Sequence, residues 1–125
     1  MIENELSGQI LGAAIEVHRV LGPGLLESVY EEAFAIELQD RNLVVSRQVT
    51  LPLGYKGRLL ESTLRLDMLV NNMIIVEVKS VERVLPVHEA QLLSYLRLSK
   101  KKLGLLINLN SVVLSKAVRR VVNRL

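Results

Sequence analysis

Hydrophobic residues recur through the first 40 positions at the spacing of two amphipathic helices. In the first segment they stand three or four positions apart, on one helical face: Leu6, Ile10, Ala13, Ala14, Val17 and Leu21. Gly22-Pro23-Gly24 ends this helix, because glycine and proline favour turns. A second segment with helical spacing extends from about residue 25 to residue 40. The chain is therefore predicted to begin with two helices.

From residue 44 onward the pattern changes to that of β-strands. Branched and other apolar residues predict strands over residues 44–53, 59–70 and 73–79. Tyr55-Lys56-Gly57 separates the first two strands as a turn. The middle of the chain is therefore predicted to contribute three consecutive strands.

The remaining segments predict a helix, a buried strand and a final helix. Pro86 suits the first turn of a helix that runs to about residue 99, because its fixed φ fits there and its missing N–H is not needed. Residues 103–109 form a continuous apolar run, which is typical of a strand buried on both faces. Helical spacing predicts a last helix with an inner stripe of Val113, Ala117, Val118, Val121 and Val122. The predicted order is α-α-β-β-β-α-β-α, without a repeat or linker, so residues 1–125 are expected to form a single α/β domain.

The second and third predicted strands form a hairpin that contains two acidic residues, Asp67 and Glu77. The register of strand pairing in this hairpin decides which residues these two face. A two-residue turn at Asn71-Asn72 would mix polar and apolar side chains on both faces. A three-residue loop at residues 71–73 instead gives one wholly apolar face, with the pairs Val70–Ile74, Met68–Val76 and Leu66–Val78. The other face then pairs Asp67 with Glu77. Facing carboxylates repel each other by on the order of 0.2 to 1 kcal/mol when they are exposed.

The facing carboxylates of Asp67 and Glu77 favour a metal site. A divalent cation between them would turn repulsion into binding, and oxygen ligands suit a hard ion such as Mg²⁺ or Mn²⁺. Lys79 lies on the same face, where its ammonium group could position a water or stabilise charge that develops on a phosphate. The alternative is a solvated hairpin face, on which Glu77 and Lys79 only keep an edge strand soluble.

Several linked motifs of this chain resemble those of the PD-(D/E)XK nuclease superfamily. Asp67, followed after nine residues by Glu77-Val78-Lys79, resembles the active-site signature of that superfamily. The segment from Gly24 to Tyr30 is similar to the motif that names the GxxExxY proteins within it, whereas Leu66 stands where the superfamily name has proline. The resemblance covers nearly the whole chain. It implies a restriction-endonuclease-like core, in which an antiparallel three-stranded meander and a parallel strand form a mixed sheet flanked by helices.

The resemblance also implies a reaction, the metal-dependent hydrolysis of phosphodiester bonds in DNA or RNA. By this resemblance Asp67 and Glu77 are metal ligands, and the backbone carbonyl of Val78 adds a third. Lys79 assists the attacking water or the scissile phosphate. Glu27 completes the metal site, directly or through water. The enzyme expected on this basis is a Mg²⁺-dependent or Mn²⁺-dependent nuclease whose partner is nucleic acid. The alternative is a catalytically silent nuclease-fold module that binds nucleic acid or a protein partner.

Further candidates lie on the third predicted helix, where His88, Gln91 and Tyr95 share one stripe. The resemblance gives Gln91 the role of steadying Lys79 or contacting the phosphate backbone. Tyr95 either packs with its hydroxyl satisfied or faces the metal. His88 either forms a hydrogen bond at the helix start, or contacts a phosphate or transfers a proton. Tyr30, at the end of the GxxExxY-like segment, is a further candidate for supporting the site or contacting phosphate.

The charge of +3 is distributed unevenly along the chain. Residues 1–40 contain eight acidic and one basic residue, a net charge of −7, and residues 41–125 contain five acidic and fifteen basic residues, a net charge of +10. The basic part suggests a surface that faces a polyanion, whereas the alternative is that the acidic helices neutralise it within one domain. Glu31 and Glu32 are expected to be solvated.

Composition and hydropathy indicate the cellular compartment of the protein and the kinds of partner it can have. The absence of cysteine excludes disulfides and thiol chemistry and suits a reducing cytoplasm. No apolar run approaches the roughly 20 residues that cross a bilayer, so no membrane partner is expected. The mean hydropathy of +0.31 is high for a small protein and suggests that a partner or a second copy, as in a homodimer, covers some apolar surface.

Overall fold

The computed structural model describes residues 2–124 as a layered arrangement of helices and one sheet. The helices are α1 (Glu3–Leu21), α2 (Glu27–Asp40) and α3 (Pro86–Ser99). The strands are β1 (Val45–Tyr55), β2 (Arg58–Val70), β3 (Ile74–Lys79), β4 (Leu103–Asn108) and β5 (Val118–Val122). The predicted type and order of the elements are confirmed from α1 to β4. Within the described residues, no helix combines the length and the apolar character needed to cross a membrane.

The predicted last helix is wrong. Its residues form a short 3₁₀ turn at Leu114–Lys116 and then β5, which pairs antiparallel with β4. β4 is buried along its whole length, so its backbone groups need hydrogen-bond partners at both edges. The β-branched valines of the segment favour a strand, and a strand at this edge supplies those partners. The order is therefore α-α-β-β-β-α-β-β.

All five strands belong to one sheet with the order β1-β2-β3-β4-β5. The β1–β2, β2–β3 and β4–β5 pairs are antiparallel, whereas β3 and β4 are parallel. α3 forms the crossover between the two parallel strands. The predicted mixed sheet, an antiparallel meander plus a parallel strand flanked by helices, is confirmed and matches a restriction-endonuclease-like core.

Two hydrophobic clusters cover the two faces of the sheet. The first cluster joins α1 and α2 to one face and includes Ile10, Phe34, Met68, Val76 and Ile107. The second cluster joins α3 to the other face and consists of Leu66, Leu69, Ile75, Leu92, Leu96 and Leu106. Side chains of β3 alternate between these clusters, as a strand buried on both faces requires.

Gly104 in β4 allows α3 to approach the sheet closely. A β-carbon at this position would lie 2.8 Å from Leu92 Cδ1 and 2.9 Å from Leu92 Cγ, inside van der Waals contact. Leu92 is fully buried in the second cluster, where close packing limits its movement. The missing side chain of Gly104 therefore fixes the height of α3, which carries Gln91 and Tyr95, above the sheet.

Candidate active site

The β2–β3 hairpin has the predicted three-residue loop at residues 71–73. Val70 pairs with Ile74 and Met68 with Val76, as expected from the apolar pattern. Asn71 and Asn72 adopt positive φ values of 51° and 53°, which asparagine tolerates better than most residues. The predicted register of this hairpin is confirmed, and it directs Asp67 and Glu77 toward each other.

The predicted face is not wholly apolar, because Leu66 lies on the other side of the sheet. Met68 packs in the first cluster, but Leu66, two positions away, packs in the second. The regular alternation of β2 is therefore broken at Asp67. On the neighbouring strand the residue opposite Asp67 is Gln48, which has a positive φ of 50°. This left-handed residue locally distorts the β1–β2 ladder, and the predicted Leu66–Val78 pairing on one apolar face is wrong.

The distortion at Gln48 also brings two consecutive side chains to α2. Arg47 Nε donates a hydrogen bond to Glu31 Oε1 at 3.1 Å, and Gln48 Nε2 donates to Glu31 Oε2 at 2.9 Å. Glu31 is only 7% exposed, so its predicted solvation is wrong. Its charge is compensated by Arg47 and by the Gln48 amide, as burial of a carboxylate requires.

Asp67 and Glu77 meet through reciprocal contacts with each other's backbone. Asp67 N–H donates to Glu77 Oε2 at 3.2 Å, and Val78 N–H donates to Asp67 Oδ2 at 3.0 Å. Backbone pairing between the strands ends at Met68 and Val76, so the two carboxylates take over the cross-strand hydrogen bonds at this point. Asp67 is partly buried and Glu77 is buried.

The electrostatics of the pair disfavour two negative charges. Burial, followed by the hydrogen bond and the charge of Asp67, raises the pKa of Glu77 to about 9. Lys79 and the Asp67 backbone N–H act in the opposite direction but do not offset burial. Glu77 is therefore protonated at neutral pH when no cation is present. Such a pair of oxygen donors fits a hard divalent cation, because the cation would replace the shared proton and compensate both charges.

Lys79 lies at the end of β3, where a network centred on Asn108 fixes the chain. Asn108 Nδ2 donates to Val81 O at 2.9 Å, and its Oδ1 accepts from Val81 N–H at 3.1 Å. Leu109 N–H donates to Lys79 O at 3.0 Å. Asn108 is 4% exposed and stands opposite Lys79 in the parallel ladder. Sequence reasoning missed Asn108, although an asparagine inside the apolar run LGLLINL is a usable signal.

Glu27 reaches the same strand end from α2. Its Oε1 accepts a hydrogen bond from Ser80 N–H at 3.2 Å, and the Ser80 hydroxyl donates to Leu25 O. Glu27 is thus placed beside the residue after Lys79, not against the Asp67–Glu77 pair. Among residues 2–124 no group of three or more acidic or histidine side chains is close enough to hold a metal ion.

Tyr30 positions the turn from which Glu27 begins. Its hydroxyl donates to Gly22 O at 2.6 Å and accepts from Leu25 N–H at 3.1 Å. Its side chain is fully buried in the first cluster. Of the two predicted roles, contact with phosphate and support of the site, this placement favours support.

The three residues of the stripe predicted on α3, His88, Gln91 and Tyr95, have different surroundings in the structure. Burial and then the charges of Glu77 and Asp67 raise the pKa of Tyr95, which places its hydroxyl near the carboxylate pair, while a hydrogen bond from Gln91 acts in the opposite direction. His88 instead accepts a hydrogen bond on Nδ1 from Leu85 N–H at 3.0 Å, at the start of the helix. Tyr95 therefore lies near the carboxylates, Gln91 lies beside Tyr95, and His88 caps α3.

An open cleft of about 610 Å³ lies between the end of β3 and the start of α3. It is lined by Val81, Glu82, Arg83, Leu85 and His88. Because Val81 follows Lys79 and Ser80 directly, the cleft adjoins the strand end that carries the candidate lysine.

Comparison with known proteins agrees with this architecture. The family model described as PD-(D/E)XK nuclease superfamily matches residues 4–121, which is nearly the whole chain. A search of curated proteins finds no match, and a search of solved structures finds none.

Proposed function

The chain belongs to the PD-(D/E)XK nuclease superfamily, and on this premise we propose that it is a nuclease that uses Mg²⁺ or Mn²⁺ to hydrolyse phosphodiester bonds in DNA or RNA. Membership itself suggests a metal-dependent nuclease. The observation that carries the proposal for this chain is the meeting of the Asp67 and Glu77 carboxylates across the distorted end of the β2–β3 ladder. Asp67 contributes to the raised pKa of the buried Glu77, so the pair lowers the stability of the fold, but the same two carboxylates can bind a cation.

Each candidate residue has a role that its position supports. Asp67, Glu77 and the carbonyl of Val78 would hold the ion, which when bound supplies a more acidic water and neutralises charge on the phosphate. Lys79, whose charge is felt by Glu77, would orient the attacking water or the phosphate. Glu27 would act through water from its position beside Ser80.

The residues on α3 complete the proposed site. Gln91 is exposed and lies beside Tyr95, so its amide is available to the phosphate backbone or to Lys79. Tyr95, whose pKa is raised by burial and then by the charges of Glu77 and Asp67, would border the ion site. Asn108 and Tyr30 act as positioning residues, because one fixes the chain after Lys79 and the other fixes the turn before Glu27.

Finer features belong to the same proposal. The spacing of Gly24, Glu27 and Tyr30 supports membership of the GxxExxY group. A single domain over residues 1–125 and a cytoplasmic location, supported by the absence of cysteine, remain predictions. A homodimer is supported by apolar side chains that are exposed in the described chain, such as Leu26 (73%) and Leu59 (79%).

Hydrolysis is tested with plasmid DNA, linear duplex DNA, single-stranded DNA and structured RNA, each with Mg²⁺, Mn²⁺ or chelator. We expect cleavage that requires the ion and falls by at least about 100-fold in Asp67→Asn and in Lys79→Gln. Glu32→Gln, which alters an exposed acid on α2, is the matched control and should cleave normally. Calorimetric titration with Mn²⁺ should show binding to the wild type and to Lys79→Gln but not to Asp67→Asn.

Two results would contradict the proposal. Cleavage that persists at the wild-type rate in both variants would mean that another site or a contaminant acts. Nucleic-acid binding without cleavage of any of these substrates would instead support a catalytically silent module.

A further inference from the structure

A second open cleft, of about 680 Å³, lies on the far side of α3 from the carboxylate pair. It is formed by the last turns of α3, the residues that enter β4 and the residues that leave β5, with this lining: Leu93, Arg97, Lys100, Lys102, Val122, Asn123 and Arg124. We refer to it as the basic cleft. Four of its seven lining residues are cationic and none is acidic.

The backbone divides the lysine run between two surfaces. Lys101 turns away from the cleft, and its Nζ donates to Asn72 O at 2.9 Å in the β2–β3 loop. Lys100 ends α3 with a positive φ of 60°, and Lys102 directly precedes β4. Asn123 fixes both flanks of this turn, because its N–H donates to Lys102 O at 2.8 Å and its Nδ2 donates to Lys101 O at 3.0 Å. Lys100 and Lys102 are thereby held on the same cleft.

The cations of the basic cleft have no acidic partner in the described part of the chain. The ion pairs found between residues 2 and 124 join Arg19 to Glu16, Arg47 to Glu31 and Arg119 to Glu89. Arg97, Lys100, Lys102 and Arg124 take part in none of them. A concave surface with several uncompensated cations focuses a positive potential and attracts polyanions.

The strand register gives the separation between the two sites. Glu77 stands opposite Leu106, and Val122 stands opposite Leu103, so three residues along β4 and two strand spacings separate Glu77 from Val122. At about 3.3 Å per residue and about 4.8 Å per strand, this separation is roughly 14 Å.

The surface between the two sites does not repel phosphate. α3 lies between them, and its exposed residues include no acid: Pro86, Val87, Ala90, Gln91, Ser94, Arg97 and Leu98. Its one acidic residue, Glu89, is partly exposed and forms an ion pair with Arg119 at 3.6 Å. Gln91 stands at the candidate active site and Arg97 at the basic cleft, so the exposed ridge of α3 connects them. A strand of nucleic acid could cross this ridge without meeting an unpaired acidic side chain.

We propose that the basic cleft is a second phosphate-binding site, which holds the phosphodiester backbone of the same nucleic acid roughly 14 Å from the bond at Asp67 and Glu77. The inference rests on the proposed nuclease function for the identity of the substrate. The cleft supplies affinity and register without base-specific contacts, because phosphate contacts position a nucleic acid and do not report its sequence.

The test measures binding without cleavage, by fluorescence anisotropy of a labelled DNA duplex of about 20 base pairs in chelator, across a series of salt concentrations. Lys100→Gln/Lys102→Gln removes two cleft charges, and Arg19→Gln/Arg120→Gln removes two charges that lie outside the cleft. Arg97→Gln/Lys102→Gln is a second cleft variant that leaves the C-cap of α3 intact. Thermal unfolding of every variant identifies those that remain folded. The same measurement with single-stranded DNA and with duplex RNA of the same length shows which kind of nucleic acid provides the phosphodiester backbone that the cleft binds.

We expect the cleft variants to bind at least about tenfold more weakly near 0.1 M salt. The slope of log affinity against log salt concentration should decrease in magnitude by about 2, because each of the two lost phosphate contacts contributes about 0.9 to it. The control should keep its affinity and slope within about twofold. An equal loss in control and cleft variants, or no loss in folded cleft variants, would overturn the proposal. Cleft-dependent binding without any cleavage would refute only the hydrolysis, whereas normal cleavage with unchanged binding in the cleft variants would refute only the cleft.

Discussion

Replacing Asp67 with asparagine should stabilise the metal-free protein at alkaline pH and remove its response to divalent cations. The asparagine keeps the shape of the side chain, and its oxygen can still accept the hydrogen bond from Val78 N–H that Asp67 Oδ2 accepts at 3.0 Å. The substitution removes the hydrogen bond and the negative charge by which Asp67 raises the pKa of Glu77. Burial of Glu77, the largest cause of its raised pKa, remains.

The magnitude follows from the pKa of Glu77, which rises from 4.5 to about 9 on folding. Between these values the folded protein retains a proton that the unfolded chain has lost. The contribution of Glu77 to stability is therefore fully present below pH 4.5 and is lost as pH rises toward 9. At about 1.4 kcal/mol per pH unit, the loss for the wild type between pH 5 and pH 8 is on the order of 4 kcal/mol. Removing the Asp67 contribution should recover about 1 to 2 kcal/mol at pH 8.

The assay is urea denaturation followed by circular dichroism from pH 5 to pH 9, in chelator and in Mg²⁺ or Mn²⁺. The wild type should lose stability with rising pH in chelator and regain it with added cation, because a ligand that binds only the folded state stabilises it. Asp67→Asn should show a shallower loss and no response to the cation. Glu61→Gln, an exposed acid elsewhere on β2, should behave as the wild type.

The paired-carboxylate interpretation fails if the wild type has the same stability at pH 5 and pH 8 in chelator. It also fails if Asp67→Asn is less stable than the wild type and still responds to the cation, because Glu77 would then titrate independently of its neighbour.

Two further predictions concern the scaffold that positions the site. Tyr30→Phe should lower the free energy of unfolding by about 1 to 3 kcal/mol, because the Gly22 carbonyl and the Leu25 N–H lose a buried partner. Urea denaturation measures this loss, and a variant as stable as the wild type would show that water replaces the hydroxyl. Gly104→Ala should cost about 1 to 3 kcal/mol, since its β-carbon would lie 2.8 Å from Leu92. Thermal unfolding of Gly104→Ala with and without Leu92→Ala checks this contact, and additive effects of the two substitutions would contradict it.

The hairpin was predictable because its apolar residues allow few registers. Only a three-residue loop places Val70, Met68, Ile74 and Val76 together, and this is the register that the structure has. The position of Leu66 was not predictable by the same rule, since alternation assumes extended residues throughout and the positive φ of Gln48 interrupts it. Nothing in the local sequence marks a glutamine as the site of a left-handed turn within a strand.

The end of the chain shows a different limit of sequence reasoning. Valines and an alanine between residues 113 and 122 fit a helical stripe, but the β-branched valines also suit a strand. The choice depends on the free edge of β4, which is a property of the assembled sheet and not of the segment itself. The cations of Lys100, Lys102 and Arg124 are visible in the sequence, but the basic cleft that assembles them is not, because α3, the turn before β4 and the end of β5 meet only after β5 has joined the sheet.

Several local departures from regular structure coincide at the candidate active site. Gln48 has a left-handed backbone opposite Asp67, the alternation of β2 breaks at Asp67, and the β2–β3 ladder ends before Asp67 and Glu77. Each departure costs stability, and the raised pKa of Glu77 adds a further cost at neutral pH. An apolar pair at these two positions would continue the ladder and bury well between the two clusters. The chain instead places a costly side-chain pair near α3 and on the strand that carries Lys79, which argues for a function of the pair on physical grounds alone.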